Sequence, residues 1–142
     1  MFENEYTLIM IKPDAVADGH TGSIIKRIED EGFRVRAIKY VRLSKAQAKE
    51  FYKIHKERPF FNELTEFIAS GHLVAACLER ANAVEHWRKV IGATNPEEAD
   101  EGTIRKLFAR SKGENAVHGS DSVENAQIET DFFFSRMELV KE

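Results

Sequence analysis

The sequence has one cysteine and three prolines among its 142 residues. A single thiol cannot form a disulfide within the chain or build a cysteine-based zinc site, and a lack of disulfides is typical of a reducing compartment. Cys77 lies in the apolar run at residues 73–78, so we expect a buried, inert thiol. The apolar runs fall far short of the roughly 20 residues that a membrane helix needs. Acidic residues near the N-terminus differ from the basic start of a signal peptide, and we therefore expect a cytoplasmic protein.

An excess of positive charge is also absent. Lys and Arg total 21 against 24 Asp and Glu, which gives a net charge of −3. This balance argues against a protein that coats nucleic acid, and we expect no stable nucleic-acid partner. The length suits one domain with one core, and we predict a single domain over residues 1–142.

Hydrophobic periodicity divides the chain into alternating strands and helices. It predicts strands at residues 6–11, 33–43, 72–79 and 115–118, and helices at 23–31, 44–56, 61–71, 82–91 and 122–134. The alternation in the second strand becomes irregular at residues 38–40, where we expect a bulge. Ser44 with Gln47 forms a capping-box pattern, and Asn82 is a second candidate N-cap. This order of elements predicts a mixed α/β or α+β sandwich and leaves the strand order open.

Residues 93–114 form a long polar stretch with one expected helical turn at 103–108. A loop of this length in a small domain is usually functional or makes an intermolecular contact. It contains few large apolar side chains, so we expect a neighbouring subunit to hold part of it.

The glycine-rich phosphate-binding patterns GxxxxGK[ST] and GxGxxG are absent, as are HxxxH and HxH pairs. A phosphate site must then be built from side chains, and the sequence offers Lys12, Arg58, Arg88 and Arg105 as candidate cations. A metal site built by the protein alone is not expected.

Four of the five histidines lie in turns or on periodic elements, and we expect them to be surface or satisfied core residues. His118 differs because a short strand meets a Gly-Ser-Asp turn and a helix start there. Free N–H groups at a helix N-terminus suit phosphate, and a neutral imidazole is a nucleophile near pH 7.

Five separated motifs together resemble the nucleoside diphosphate kinase family in order and spacing. They are IKPD at 11–14, RPFF at 58–61, GATNP at 92–96, GTIR at 102–105 and NAVHGSDS at 115–122. The resemblance implies an enzyme that transfers the γ-phosphate of a nucleoside triphosphate, mainly ATP, to nucleoside diphosphates and so maintains nucleoside triphosphate pools. The family's route is a ping-pong reaction through a phosphohistidine.

Roles for individual residues follow from the resemblance, which covers essentially the whole chain. By resemblance, His118 is the nucleophile and its Nδ1 takes the phosphate, Glu129 orients the ring, Ser120 supports Glu129, and Tyr52 positions Lys12 and the phosphate. The nucleotide-binding set would be Lys12, Arg88 and Arg105 on the phosphates, Thr94 adding a hydroxyl, Asn115 with Lys12 at the ribose, and Phe60 stacked on the base.

The resemblance also implies a ferredoxin-like βαββαβ sandwich, with an antiparallel four-stranded sheet and helical insertions. Mg²⁺ would enter on the nucleotide phosphates, because this ion keeps its waters and needs few protein ligands. A homo-oligomer is expected, with a hexamer favoured and a tetramer as the alternative. Lys112 stands where the family usually has an aliphatic residue against the base, and its methylene stem can still cover a base.

Two other functions fit parts of the pattern. A phosphocarrier would also use a phosphohistidine, but it needs neither scattered cations nor an aromatic platform such as Phe60. A nucleotide- or nucleic-acid-binding regulator would need no nucleophile, and the negative net charge argues against its nucleic-acid form.

Overall fold

A four-stranded antiparallel sheet forms the centre of the molecule. The computed structural model describes residues 4–139. The strands are β1 (Glu5–Ile11), β2 (Arg34–Val41), β3 (Leu73–Arg80) and β4 (Val117–Gly119), in the spatial order β2-β3-β1-β4. Every neighbouring pair is antiparallel. The expected α+β ferredoxin-like sandwich is therefore confirmed.

Seven α-helices cover the sheet in the described part of the chain. They are α1 (Pro13–Ala17), α2 (Thr21–Asp30), α3 (Lys45–Phe51), α4 (Phe61–Ile68), α5 (Ala83–Ile91), α6 (Ile104–Phe108) and α7 (Val123–Phe133). Two 3₁₀ turns, Lys53–His55 and Arg136–Glu138, complete the regular structure. The pair α3 and α4 is the helical insertion between β2 and β3. Within residues 4–139, no helix combines the length and the apolar character needed to cross a membrane.

The two central strands are buried on both faces. On β1, Ile9 and Ile11 point into one core with α2 and α5, whereas Leu8 and Met10 point into a second core with α3, α4 and α7. Strands covered on both sides carry apolar residues continuously, so β1 and β3 appear in the sequence as runs of apolar residues. Cys77 is buried in the second core, as expected.

Several boundaries differ from the sequence predictions. Helix α1 was missed, because five residues are too few to show a period; Pro13 at its first position was the available signal. Helix α2 begins at Thr21 rather than residue 23. The helix predicted to residue 56 ends at Phe51 and gives way to a 3₁₀ turn.

Of three local expectations about strand and helix ends, the position of the bulge was wrong, and the positions of the two N-caps were confirmed. The bulge in β2 lies between Val35 and Ala37, not at residues 38–40. Asn82 is the N-cap residue of α5, in a left-handed conformation, and its side chain donates to Glu85 rather than accepting from the helix backbone. The capping box at Ser44 and Gln47 is present.

Candidate active site

A cavity of about 910 Å³ opens beside the ends of β1 and β4. Nine of the ten predicted site residues line it: Lys12, Tyr52, Phe60, Arg88, Thr94, Arg105, Asn115, His118 and Glu129. Ser120 is the tenth; it is fully buried and contacts the cavity through Glu129. Residues from six separate parts of the chain therefore converge on one space.

A chain of hydrogen bonds fixes the His118 ring. Its Nε2 lies 2.8 Å from Oε1 of Glu129, and the Ser120 hydroxyl donates to the same oxygen at 2.7 Å. The Ser120 hydroxyl also accepts from the backbone N–H of Leu8 at 3.2 Å, which ties the carboxylate to β1. A carboxylate on one ring nitrogen sets the tautomer and leaves Nδ1 outside this chain of bonds.

The backbone of His118 belongs to β4, the short strand predicted before the Gly-Ser-Asp turn. His118 pairs with Met10 of β1, while α7 begins at Val123 after its cap at Ser122. The structure therefore confirms the predicted setting of His118, on a short strand that a Gly-Ser-Asp turn joins to the last helix, and strand pairing fixes its backbone. The indole of Trp87 also donates to the His118 carbonyl at 3.2 Å.

Gly119 lies against the same indole. A Cβ at Gly119 would lie 2.5 Å from Cδ1 of Trp87, closer than carbon atoms can approach. Glycine at this position thus allows β4 to pack directly onto α5. No local pattern could predict this contact, because Trp87 and Gly119 lie far apart along the chain.

Two cations, the buried Lys12 and the partly buried Arg105, face the cavity and bond to amide and carbonyl oxygens. Lys12 donates to Oδ1 of Asn115 at 2.9 Å, and Arg105 donates to the carbonyls of Gly92, Asn115 and Val117. Burial and the nearby Arg105 lower the pKa of Lys12 to about 8. Burial and Arg88 lower the pKa of Arg105 to about 10. Crowded cations that raise one another's electrostatic energy favour an anionic ligand.

Tyr52 brings a buried hydroxyl to the same space. Its oxygen has no hydrogen-bond partner among residues 4–139, and burial together with Glu129 raises the pKa of the phenol. A phenol kept neutral in this way is a hydrogen-bond donor for an incoming ligand. The rings of Tyr52 and Phe51 both contact the His118 ring edge-on, at centroid distances of 6.2 and 5.5 Å.

The rim of the cavity contains the remaining predicted residues. Phe60 is half exposed at the start of α4, and the Thr94 carbonyl accepts from Nδ2 of Asn115 at 3.4 Å. Lys112 also lines the cavity, and its carbonyl accepts from the same amide at 3.1 Å. Lys112 and Phe60 therefore line the same cavity.

Sequence reasoning missed some lining residues and included one that lies elsewhere. Phe51 and His55 line the cavity; both were assigned only to a periodic helix, which carries no signal for a site. Arg58 was a candidate phosphate ligand but is not among the lining residues. Over residues 4–139, no cluster of three or more His, Cys, Asp or Glu side chains could hold a metal ion.

Comparison with known proteins decides the family. A family model described as nucleoside diphosphate kinase matches residues 5–139. The chain belongs to the nucleoside diphosphate kinase family. Membership makes it a phosphotransferase that uses nucleotides as substrates, and the expected family and enzyme class are confirmed.

Relatives of known sequence align over nearly the whole chain. The nucleoside diphosphate kinase of Persephonella marina is 53% identical over 137 residues, covering 96% of this chain and 98% of the relative. That of Chloroherpeton thalassium is 57% identical over 136 residues, covering 96% of each.

Solved structures of nucleoside diphosphate kinases share the fold. The crystal structure of the Aquifex aeolicus enzyme has a TM-score of 0.95 at 48% identity, covering 96% of this chain and 99% of that chain. The Halobacterium salinarum enzyme in complex with CDP has a TM-score of 0.93 at 37% identity, covering 98% and 93%.

Proposed function

We propose that this nucleoside diphosphate kinase works by a ping-pong reaction through a phosphohistidine on Nδ1 of His118. The observation that supports it best is the bond from Nε2 to Glu129 in a cavity that Lys12, Arg88 and Arg105 also line. In the first half, the Nδ1 lone pair attacks the γ-phosphorus of a nucleoside triphosphate. The bond to the β–γ bridging oxygen breaks, and a nucleoside diphosphate leaves. In the second half, a terminal oxygen of an acceptor diphosphate takes the phosphoryl group from Nδ1.

Glu129 and Ser120 keep the nucleophile in its reactive form. With Nε2 as the protonated nitrogen, Nδ1 carries the lone pair, and the carboxylate offsets the positive charge that the ring gains on phosphorylation. The Ser120 hydroxyl holds the carboxylate at 2.7 Å and so limits its rotation. Ser120 is therefore a positioning residue in this proposal.

The cations of the cavity bind and neutralise the phosphates in this proposal. Phosphoryl transfer depends on alignment and on neutralising charge over the phosphate oxygens, more than on covalent chemistry by the protein. Lys12, Arg88 and Arg105 would bind the β- and γ-phosphates, with the hydroxyls of Thr94 and Tyr52 as neutral donors. The unpartnered Tyr52 hydroxyl supports this role, since a phosphate oxygen would satisfy it.

The nucleoside would lie at the rim. Phe60 would stack on the base, and Asn115 with Lys12 would bind the ribose hydroxyls. The related Halobacterium salinarum enzyme was solved with CDP, so a pyrimidine nucleotide binds in a fold of this kind. Stacking without hydrogen bonds to base edges discriminates weakly, so we expect purine and pyrimidine nucleotides to be accepted alike.

The residues that line the cavity suit a Mg²⁺ ion that is bound through the nucleotide phosphates. The cavity offers cations and hydroxyls together with the carboxylates of Glu63, Glu114, Asp121 and Glu129, and no three or more His, Cys, Asp or Glu side chains of residues 4–139 form a group that could hold the ion directly. When bound to the nucleotide, Mg²⁺ would neutralise part of the phosphate charge. Chelation with EDTA should stop transfer and leave the melting temperature unchanged; transfer that continues in EDTA contradicts the proposal.

The cellular role proposed is the maintenance of nucleoside triphosphate pools, mainly at the expense of ATP. The cytoplasmic location stays a prediction from the sequence, as does the single domain over residues 1–142.

The oligomer also stays a prediction, with six subunits favoured over four. Light scattering tests the assembly, and a monomer at micromolar concentration contradicts it.

Steady-state kinetics and an isotope chase test the ping-pong route. Double-reciprocal plots at several acceptor concentrations should be parallel, because the donor product leaves before the acceptor binds. Protein labelled with γ-³²P-ATP and freed of nucleotide should pass its label to added nucleoside diphosphate. Intersecting plots together with a label that cannot be chased would show direct transfer in a ternary complex.

A further inference from the structure

The backbone beside His118 makes a tight, strained turn at Ala116. The N–H of Val117 donates to the carbonyl of Asn115 at 2.9 Å, two residues back, and Ala116 between them has φ of 75°. This is a γ-turn with a left-handed central residue, a conformation that residues with a Cβ rarely adopt. Ala116 is also fully buried, so its environment must enforce the turn.

The turn has a clear consequence for the site. The pairing of β1 with β4 runs as far as Ile11 opposite Val117, and the N–H of Lys12 then donates to the Ala116 carbonyl at 2.8 Å. Reversal of the chain at Ala116 brings the Asn115 side chain to Nζ of Lys12. A relaxed turn would keep the strand but would carry Asn115 away from Lys12.

Asp14 supplies the contact that this turn needs. A γ-turn leaves the N–H of its central residue without a partner inside the turn, and a buried N–H must find one. Oδ2 of Asp14 accepts from the Ala116 N–H at 2.9 Å, across 102 positions of sequence. Asp14 is buried in the first turn of α1, and its other oxygen, Oδ1, has no hydrogen-bond partner within residues 4–139. The sequence motif that contains Lys12 therefore also contains an acid that the proposed mechanism does not use.

Arg105 also stabilises the Ala116 turn, through the carbonyls on either side of Ala116. Its guanidinium donates to the carbonyl of Asn115 at 3.3 Å and to that of Val117 at 3.0 Å. Both carbonyls flank Ala116, whereas the central N–H is bonded to Asp14. Loss of Asp14 thus leaves the Ala116 N–H without its acceptor, and Arg105 cannot replace Asp14, because a guanidinium only donates.

We propose that Asp14 is a positioning residue for phosphotransfer: its carboxylate holds the Ala116 γ-turn, and the turn holds Asn115 against Lys12 next to His118. The inference rests on the proposed roles of Lys12, Asn115 and His118. It assigns to Asp14 a hydrogen-bond acceptor's function, so an amide oxygen at the same place should suffice.

Three variants test the proposal. Asp14→Ala removes the acceptor and should lower kcat/KM by at least about tenfold. Asp14→Asn keeps an oxygen for the Ala116 N–H and should stay within about threefold of the wild type. In the double variant Asp14→Ala with Ala116→Gly, glycine adopts the positive φ without steric cost, and most of the lost activity should return.

A matched control separates this effect from general loss of stability. Glu79 is a similarly buried carboxylate, paired with Arg36 away from the cavity. Glu79→Ala should lower the melting temperature and leave kcat/KM of the folded protein near the wild-type value. Asp14→Ala should lower kcat/KM at temperatures where circular dichroism shows a fully folded protein.

Each outcome of these experiments either supports or overturns the proposed role of Asp14. Wild-type activity in Asp14→Ala overturns the proposal, and so does an Asp14→Asn variant as poor as Asp14→Ala. If Asp14→Ala does not fold, the double variant decides: native activity supports the proposal, and a folded but inactive protein overturns it. Labelling and chase of the wild-type protein test the role of His118 without involving Asp14, so failure of the proposed function is recognised separately.

Discussion

Binding of a nucleoside diphosphate should take up about half a proton at pH 8, and Lys12 should be the group that accepts it. Burial and Arg105 lower the pKa of this ammonium to about 8 in the free protein. Phosphate oxygens placed beside it would favour the charged form and raise the pKa again. The expected uptake is therefore about 0.1 proton at pH 7, about 0.5 at pH 8 and about 0.9 at pH 9.

Isothermal titration calorimetry with ADP in buffers of different ionisation enthalpy measures this number directly. The variant Lys12→Gln is the matched control, because it lacks the titrating group and retains the other cations. Affinity of the wild type should fall by about tenfold for each pH unit above 8, and that of Lys12→Gln should not. Equal proton uptake by the two proteins between pH 8 and 9 would refute the account of Lys12.

The lowered pKa of Lys12 also predicts how the free energy of unfolding changes with pH. The folded-state pKa of about 8 lies below the usual 10.5, so the unfolded chain binds more protons between these two values. The free energy of unfolding of the wild type, relative to Lys12→Gln, should therefore rise as the pH increases through this window. Urea titrations at pH 7.5 and 10 measure the change, and a fall would contradict it.

Three substitutions test the packing around the nucleophile and the rim. Ser120→Ala leaves the buried backbone N–H of Leu8 without its acceptor and should lower the free energy of unfolding by about 1–3 kcal/mol in urea titrations. Turnover should fall as well, and an unchanged free energy of unfolding would contradict the Leu8–Ser120 bond. Gly119→Ala should lower the melting temperature because its Cβ meets Trp87 at 2.5 Å, whereas Gly113→Ala, with open space around it, should not. Lys112→Leu should leave turnover nearly intact, and a hundredfold loss, about 2.7 kcal/mol, would show that the ammonium contacts phosphate.

The elements of the fold that could be predicted from the sequence are those with a long period or a defined cap. Strand β1, helix α5 and the capping box at Ser44 all follow from local patterns. Helix α1 and the bulge in β2 did not, because one is too short to show a period and the other depends on its partner strand.

The candidate site could be predicted because seven of its ten residues occur in five recognisable motifs, and the resemblance along the rest of the chain supplied Tyr52, Arg88 and Glu129. Nine of the ten expected side chains line one cavity, a convergence that no local pattern could show. What the motifs could not give were the contacts between distant segments. The hydrogen bond from Trp87 to the His118 carbonyl joins residues 31 positions apart, and the bond from the Ala116 N–H to Asp14 joins residues 102 positions apart. Both bonds depend on how β4 packs.

The identity of the phosphorylated atom tests the central claim most directly. The wild-type protein, incubated with γ-³²P-ATP and Mg²⁺, should acquire one label that survives alkali and is lost in acid, as expected of an N-phosphate, and peptide mapping should place it on His118. His118→Ala should lose both label and transfer while it still binds nucleotide, because the cations and Phe60 remain. An acid-stable label on Ser120 or Ser122, or a label on another histidine in His118→Ala, would contradict the account.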